Sequence, residues 1–283
     1  MPELPEVETL VRGLTPLLPG SRIERTRVLH DDILRQPPRA FRDAVRHRTV
    51  TAVQRRAKNI VMPLDEGVAY LVVNLGMTGA LFPQRFERED GSVPERSARK
   101  PTHPAIRFHL NGGRALVYHD IRRFGTVEVL DPETWAERSE RIGPEPLSDG
   151  YRAEDLHEGL SASRSPVRNW LLDQRRIAGV GNIYASEACF RAGVHPARPA
   201  REVKRGEARK MHRGLRDVLS QAIEHGGTTL QDYRNADGRP GLFGTLLCVY
   251  GREGEPCVEC GTPIERIVVG NRSAFYCPEC QPG

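Results

Sequence analysis

The sequence predicts an α+β chain with two unlike halves: an N-terminal helix leading into a strand-rich region, then a helical region closed by a small cysteine hairpin. Three observations carry this. Between residues 48 and 130, short apolar or alternating runs are broken by Gly, Asn, Asp and Pro, as antiparallel strands are. Beyond residue 150 the apolar positions recur at helical spacing. Two Cys-x2-Cys pairs then sit near the C-terminus.

The elements follow in order. Residues 3–15 place Val7, Leu10, Val11 and Leu14 on one helical face. Strands are predicted at 48–55, 59–64, 68–75, 104–110, 115–119 and 125–130, a density that suits a sandwich or barrel. The charged, aperiodic stretch 84–103 reads as a mobile loop. Asp131-Pro132-Glu133 and Gly143-Pro144-Glu145-Pro146 mark the end of a first domain (1–133) and a linker (134–150). In the next domain (151–242), Ser165-Pro166 supplies a capping serine and a first-turn proline. Asn182 heads a helix that Gly193 stops. Residues 205–225 form the strongest helix, with Met211, Leu215, Val218, Leu219, Ala222 and Ile223 in one stripe before Gly226-Gly227. The polar, turn-rich 231–241 reads as a flexible loop. No internal repeat is visible.

The closing module (243–283) is the most specific signal. Cys257-x2-Cys260 and Cys277-x2-Cys280 are sixteen residues apart, the spacing of a four-thiolate zinc site. Four thiolates leave no open position, so one structural Zn2+ is expected, folding a piece too small to bury a core. Ile264–Val269 and Arg272–Tyr276 flank Gly270-Asn271, a hairpin with a two-residue turn. Cys189 and Cys248 are left over and read as ordinary buried thiols.

The net charge is +5 and the basic residues cluster at Arg42–Lys58, Arg122-Arg123 and Arg201–Arg216, a bias toward polyanions. No leader and no long apolar run stand out, which fits a bacterial-type cytoplasm. No interface pattern is apparent, which fits a monomer. Only 4 lysines accompany 38 arginines, so Lys58 stands out as a site that arginine has not taken.

The chemistry starts at the head of the chain, Met1-Pro2-Glu3-Leu4-Pro5-Glu6. Trimming of Met1 would leave Pro2 as a free secondary amine, titrating near ~8 and able to attack an electrophilic carbon and form an iminium. Glu3 and Glu6 lie within one helical turn and suit acid or base work. The same residues would serve equally as an ordinary helix start. Gly179-Val180-Gly181-Asn182 offers N–H groups and a helix N-terminus to a phosphate, or is a plain turn. Met77 and Phe124 are core residues unless they sit on loop tips, where apolar side chains can wedge into a base stack and Arg122 can fill the space of a missing base. Arg272, beside the hairpin turn, could enter a groove.

Taken together, the Met1–Glu8 opening, the Leu75-Gly76-Met77 and Arg122-Arg123-Phe124-Gly125 loops, the Gly179–Ala185 turn and the zinc module with Arg272-x3-Tyr276-Cys277 resemble, in order, the bacterial formamidopyrimidine-DNA glycosylase family. The resemblance spans essentially the whole chain. It implies an N-terminal β-sandwich, a helical helix-two-turns-helix domain and a zinc-ribbon hairpin. It also implies a partner, double-stranded DNA carrying oxidised bases or abasic sites, and a bifunctional glycosylase and abasic-site lyase for oxidised purines. In that scheme Pro2 is the nucleophile, Glu3 the general acid/base, Glu6 a supporting carboxylate and Lys58 a catalytic-site lysine on the DNA backbone. Met77, Arg122 and Phe124 fill the void, Asn182 and Arg272 clamp phosphates, and 231–241 closes over the everted base. Two positions depart: the family often has lysine, associated with the damaged base or its phosphate, at Arg168, and histidine at Asn74. Two alternatives stay open: an endonuclease VIII-like enzyme for oxidised pyrimidines, and a non-catalytic damaged-DNA-binding protein with Pro2 blocked.

Overall fold

The computed structural model describes residues 2–85, 102–229 and 240–283. Met1, most of the 84–103 loop and nearly all of 231–241 lie outside the described residues. The chain forms two compact units: Met1–Glu140 with His225–Leu242, and Arg141–Glu224 with Phe243–Gly283. Among the described residues, no helix is long and apolar enough to cross a membrane.

The first unit is a sandwich of two four-stranded antiparallel sheets. One runs in the order β1 (Ile23–Val28), β6 (Pro104–Leu110), β7 (Ala115–Asp120), β5 (Gly79–Gln84). The other runs β2 (Gln54–Arg56), β3 (Asn59–Leu64), β4 (Ala69–Asn74), β8 (Thr126–Leu130). Their inner faces, with α1 (Leu4–Leu14) and α2 (Pro38–Val45), share one core that includes Leu10, Leu14, Ile60, Met62, Val73, Ile106 and Phe108. Phe41 from α2 packs on Phe108 with ring centroids 6.1 Å apart. The sheet order resolves the choice between sandwich and barrel.

The strands that sequence periodicity does not reveal are edge strands. Half of β1 is charged and half of it exposed, and β5 carries Pro83; both are permitted at an edge, where one side of the ladder needs no partner. The predicted strand 48–55 shrinks to Gln54–Arg56, because Thr49 and Val50 make only isolated bridges to Arg22 and Leu64. The 134–150 linker overlaps a helix, α3 (Pro132–Glu140). Asp131 accepts the Thr134 N–H at 2.8 Å and the Thr134 hydroxyl at 2.7 Å, and Pro132 follows it. The Asp-Pro pair is therefore a helix cap with a first-turn proline rather than a turn.

The second unit is helical: α4 (Ala153–Ser161), α5 (Val167–Leu172), α6 (Asn182–Ala192) and α7 (Arg205–Glu224). The whole predicted α7 stripe is buried. Gly193 ends α6 in the left-handed region, φ 67°. β9 (Glu265–Val269) and β10 (Arg272–Tyr276) form the hairpin, with Gly270 at φ 66° in its turn. The described residues 225–229 belong to the first unit, where the Thr228 N–H donates to Glu6 Oε1 at 2.7 Å.

Phe41→Ala should lower the unfolding free energy by about 3–5 kcal/mol, the cost of an emptied aromatic site. Urea denaturation followed by circular dichroism measures it.

Candidate functional site

The head of α1 is built by backbone capture. Glu3 is the N-cap, and Glu6, three residues on, accepts the Glu3 N–H on Oε2 at 2.7 Å. Glu6 Oε1 takes the Thr228 N–H, so both carboxylate oxygens hold main chain in place. Pro2, Glu3 and Glu6 are all buried. A buried carboxylate is tolerable only when its oxygens are paired, and Glu6 meets that condition with one donor 222 residues away.

Lys58 sits half-buried in the two-residue turn between β2 and β3, next to Ala57 at φ 53°. These strands pack on α1. Arg55 fastens the turn: it donates to Glu8 Oε2 of α1 at 2.9 Å and to the Ala57 carbonyl at 3.1 Å. Burial pushes the Glu8 carboxyl up, but hydrogen bonds from Arg12 and Arg55 outweigh it and hold Glu8 below its ordinary value.

Met77, Arg122 and Phe124 are exposed on two adjoining loops, not in the core. Met77 is 37 % and Phe124 59 % exposed. The Arg122 guanidinium carbon lies 4.7 Å from the Phe124 ring centre, a cation–π stack. The Arg122 N–H donates to Thr78 Oγ1 at 2.9 Å, joining the loops. Asn74 steadies the first of them: its Oδ1 accepts the Gly76 N–H and its Nδ2 donates to Asn59 Oδ1, both at 3.0 Å. This is what asparagine does at the position where histidine resembles the family pattern more closely.

In the second unit, Asn182 is the first residue of α6 and Arg272 is exposed at the start of β10. Arg168, the position where the family often has lysine, lies inside the second unit. It is 1 % exposed, and its guanidinium donates to the Asn169 Oδ1 at 3.0 Å, the Val269 carbonyl at 3.1 Å, the Ser273 carbonyl at 2.9 Å and Asn182 Oδ1. Asn182 Nδ2 in turn donates to the Ser273 carbonyl at 3.0 Å. Arg168 thus ties α5, α6 and the hairpin into one body.

The four cysteines converge. Their sulfurs all lie within 4.8 Å of one another, with pairs at 3.4, 3.5 and 3.9 Å. A tetrahedral zinc with Zn–S of about 2.3 Å requires S···S edges of about 3.8 Å. Cys257, Cys260, Cys277 and Cys280 therefore fit one structural Zn2+. Cys189 is buried, its thiol pushed up to about 12 by desolvation. Cys248 is only half-buried.

Sequence reading missed the residues that dock this module. Glu187 is fully buried and accepts the N–H groups of Cys248, Val249 and Tyr250 at 2.9–3.0 Å. Gln281 accepts the Cys277 N–H at 3.0 Å and donates to the Val194 carbonyl at 2.8 Å. The available signal for Glu187 was a lone acid in the middle of a helix rich in apolar residues. Thr78 and Asp120, beside the exposed loops, were also missed.

Family models match the chain in three consecutive parts: the formamidopyrimidine-DNA glycosylase N-terminal domain over 1–127, its H2TH domain over 142–234, and a zinc finger found in FPG and IleRS over 254–283. A curated relative, the formamidopyrimidine-DNA glycosylase of Serratia proteamaculans, is 41% identical over 99% of this chain and 100% of its own length. The crystal structure of the MutM (FPG) protein from Thermus thermophilus superposes with a TM-score of 0.85 at 41% identity, covering 99% of this chain and 98% of that one. Lactococcus lactis Fpg superposes with a TM-score of 0.89 at 27% identity as a mutant complexed with DNA containing Fapy-dG, over 100% of both chains. Its complex with DNA containing an abasic site gives 0.88 at 26% identity, over 99% of this chain and 100% of that one.

The sandwich, the helical unit and the four-thiolate hairpin, matched in this order, define a zinc-finger DNA glycosylase. More narrowly, the chain belongs to the formamidopyrimidine-DNA glycosylase family.

The purified protein should carry one zinc ion, and Cys277→Ala should abolish its binding. Metal analysis reads the first effect and limited proteolysis within 254–283 the loss of the folded hairpin.

Proposed function

We propose that this chain excises oxidised purines, formamidopyrimidines and 8-oxoguanine among them, from duplex DNA and then cleaves the abasic strand. The carrying observation is the buried Pro2–Glu3–Glu6 head of α1, in a chain whose relatives are glycosylases complexed with Fapy-dG and abasic-site DNA. The DNA-complex relatives and the wedge-loop motifs favour this over an oxidised-pyrimidine enzyme. The place of action is the bacterial cytoplasm, at the nucleoid.

A base stacked in a duplex cannot be reached, so the damaged nucleotide must leave the helix. Met77, Arg122 and Phe124, exposed and adjoining, enter the gap it leaves. The backbone is held by Lys58, by Arg272 and by Asn182 at the α6 N-terminus, the positive end of that helix. Arg168 fixes the Asn182 side chain and the hairpin. These backbone contacts make lesion binding fall steeply with salt.

The imino nitrogen of Pro2, freed of Met1, attacks C1′ of the everted nucleotide. The glycosidic bond breaks, and the base leaves with a proton supplied by Glu3 acting as general acid. The C1′–O4′ bond then opens as O4′ takes up the proton given up by the amine, leaving a C1′ iminium on Pro2 that is cationic and acidifies the C2′ proton. Removal of that proton expels the 3′ phosphate by β-elimination, and a second elimination expels the 5′ phosphate. Water then hydrolyses the iminium linkage, releasing the sugar remnant as an aldehyde and restoring the amine. Glu6 holds the helix head in register through its two backbone hydrogen bonds. The structural zinc supplies no step; it orders the module that carries Arg272.

Borohydride should trap a covalent complex between protein starting at Pro2 and a duplex carrying 8-oxoguanine opposite cytosine. Pro2→Gly should lose the proline adduct, and Glu3→Gln should lower excision by roughly 10²–10⁴-fold. Absence of a trapped complex with protein confirmed by mass to start at Pro2 would refute the covalent route. Faster excision of thymine glycol than of 8-oxoguanine would point to the pyrimidine reading.

A further inference from the structure

Behind the exposed loop tips lies a buried carboxylate that the chemistry above does not use. Asp120 closes β7 and is 2 % exposed. Oδ1 accepts the Thr78 hydroxyl at 2.5 Å; Oδ2 accepts the Gly125 N–H at 2.9 Å and the Tyr118 hydroxyl at 3.2 Å. Among the described residues every one of these donors is neutral. A carboxylate taken out of water costs folding energy that neutral donors only partly return, so stability alone does not explain it.

The positions of the donors do. Thr78 follows Met77 and Gly125 follows Phe124, and the Thr78 oxygen passes the link on to the Arg122 N–H. Each of the three exposed side chains is thus at, or one residue from, a main-chain or hydroxyl group anchored to this carboxylate. The loops also touch through their backbones. A Cβ on Gly76 would fall 2.4 Å from the Phe124 carbonyl carbon and the Gly125 nitrogen, and one on Gly125 would fall 1.8 Å from the Tyr118 hydroxyl. Burial, then the Asp120 charge, keeps the Tyr118 phenol far above its ordinary pKa, so it stays a donor.

We propose that Asp120, acting through Thr78, is a positioning residue that locks the Met77 loop and the Arg122–Phe124 loop into a single wedge with a fixed spacing of tips. The proposal rests on the reading of those three side chains as void-fillers. Direction matters in the relay. Thr78 accepts from Arg122 and donates to Asp120. In Asp120→Asn, an amide oriented to keep its oxygen on Gly125 would turn a donor toward Thr78, leaving the hydroxyl proton without an acceptor.

The test compares single-turnover excision from an 8-oxoguanine·cytosine duplex with borohydride trapping on a single-stranded abasic oligonucleotide, where no stack has to be opened. Asp120→Asn and Thr78→Val should each lower the duplex-to-single-strand ratio about 10-fold, the scale of one buried hydrogen bond. Thr78→Ser should restore the ratio. The Asp120→Asn/Thr78→Val pair should fall no further than the more affected single variant, because both cut one relay. An unchanged ratio in Thr78→Val, including a parallel loss on both substrates, overturns the proposal, and that variant decides alone where Asp120→Asn does not fold. Met77→Ala runs beside them: if it leaves duplex excision at the parent rate, the void-filling reading itself fails.

Discussion

Both oxygens of Glu6 are spent on main-chain N–H groups, one from Glu3 and one from Thr228. This one carboxylate decides where the chain's head lies. The helix N-terminus that carries Pro2 and Glu3 would otherwise be free to fray, as helix ends do. Pinning it to a segment more than two hundred residues away converts a terminal turn into a rigid element of the first unit. The same bond joins the described residues 225–229 to the sandwich unit. A base or nucleophile placed loosely by even about 1 Å loses much of its rate, so the anchoring serves the proposed roles of Pro2 and Glu3 as well as the fold.

The second unit repeats the device with other residues. Glu187 gathers three consecutive N–H groups from 248–250, Gln281 bridges the cysteine knuckle to Val194, and Arg168 gathers carbonyls from both strands of the hairpin. Buried ionisable groups are poor contributors to stability when an apolar replacement exists. What they do well is fix a direction, because a hydrogen bond weakens steeply when bent. Glu6 in this way directs the backbone of Glu3, and Arg168 the Asn182 side chain and the hairpin that carries Arg272.

The sequence revealed those features whose physics is local. The α7 stripe, the cysteine spacing and the β3–β4 and β6–β7 runs follow from periodicity and ligand number, and each reappears at the expected residues. What stayed hidden depends on tertiary partners. β1 carries charges because it is an edge, and Asp131-Pro132 looks like a turn until Thr134 is seen to close the cap. Pro2 and Glu3 could be named from amine and carboxylate chemistry, but the family resemblance was what favoured that reading over an ordinary helix start, and Met77 and Phe124 over core residues. Composition alone would have left Met77 and Phe124 in the core. Glu187, Thr78 and Asp120 carry no spacing signal, since their partners are main-chain groups whose identity sequence does not record.

Arginine usage sharpens the contrast between two positions. With 38 arginines to 4 lysines, an arginine at 168 could be taken as compositional drift. The geometry argues otherwise. Arg168 donates to four acceptors spread over Asn169, Asn182, Val269 and Ser273. A planar fork with five N–H groups spans such a set, whereas an ammonium has three donors at one point. Lysine at 168 would leave at least one of the hairpin carbonyls to be satisfied by something else, and would be freer to reach outward. Lys58 is the converse case. It sits in a tight turn where a compact charge on a flexible stem can meet a backbone phosphate and, unlike guanidinium, can give up its proton. The two residues therefore suit different work: arginine holds protein to protein here, and lysine at 58 fits the proposed contact with a backbone phosphate.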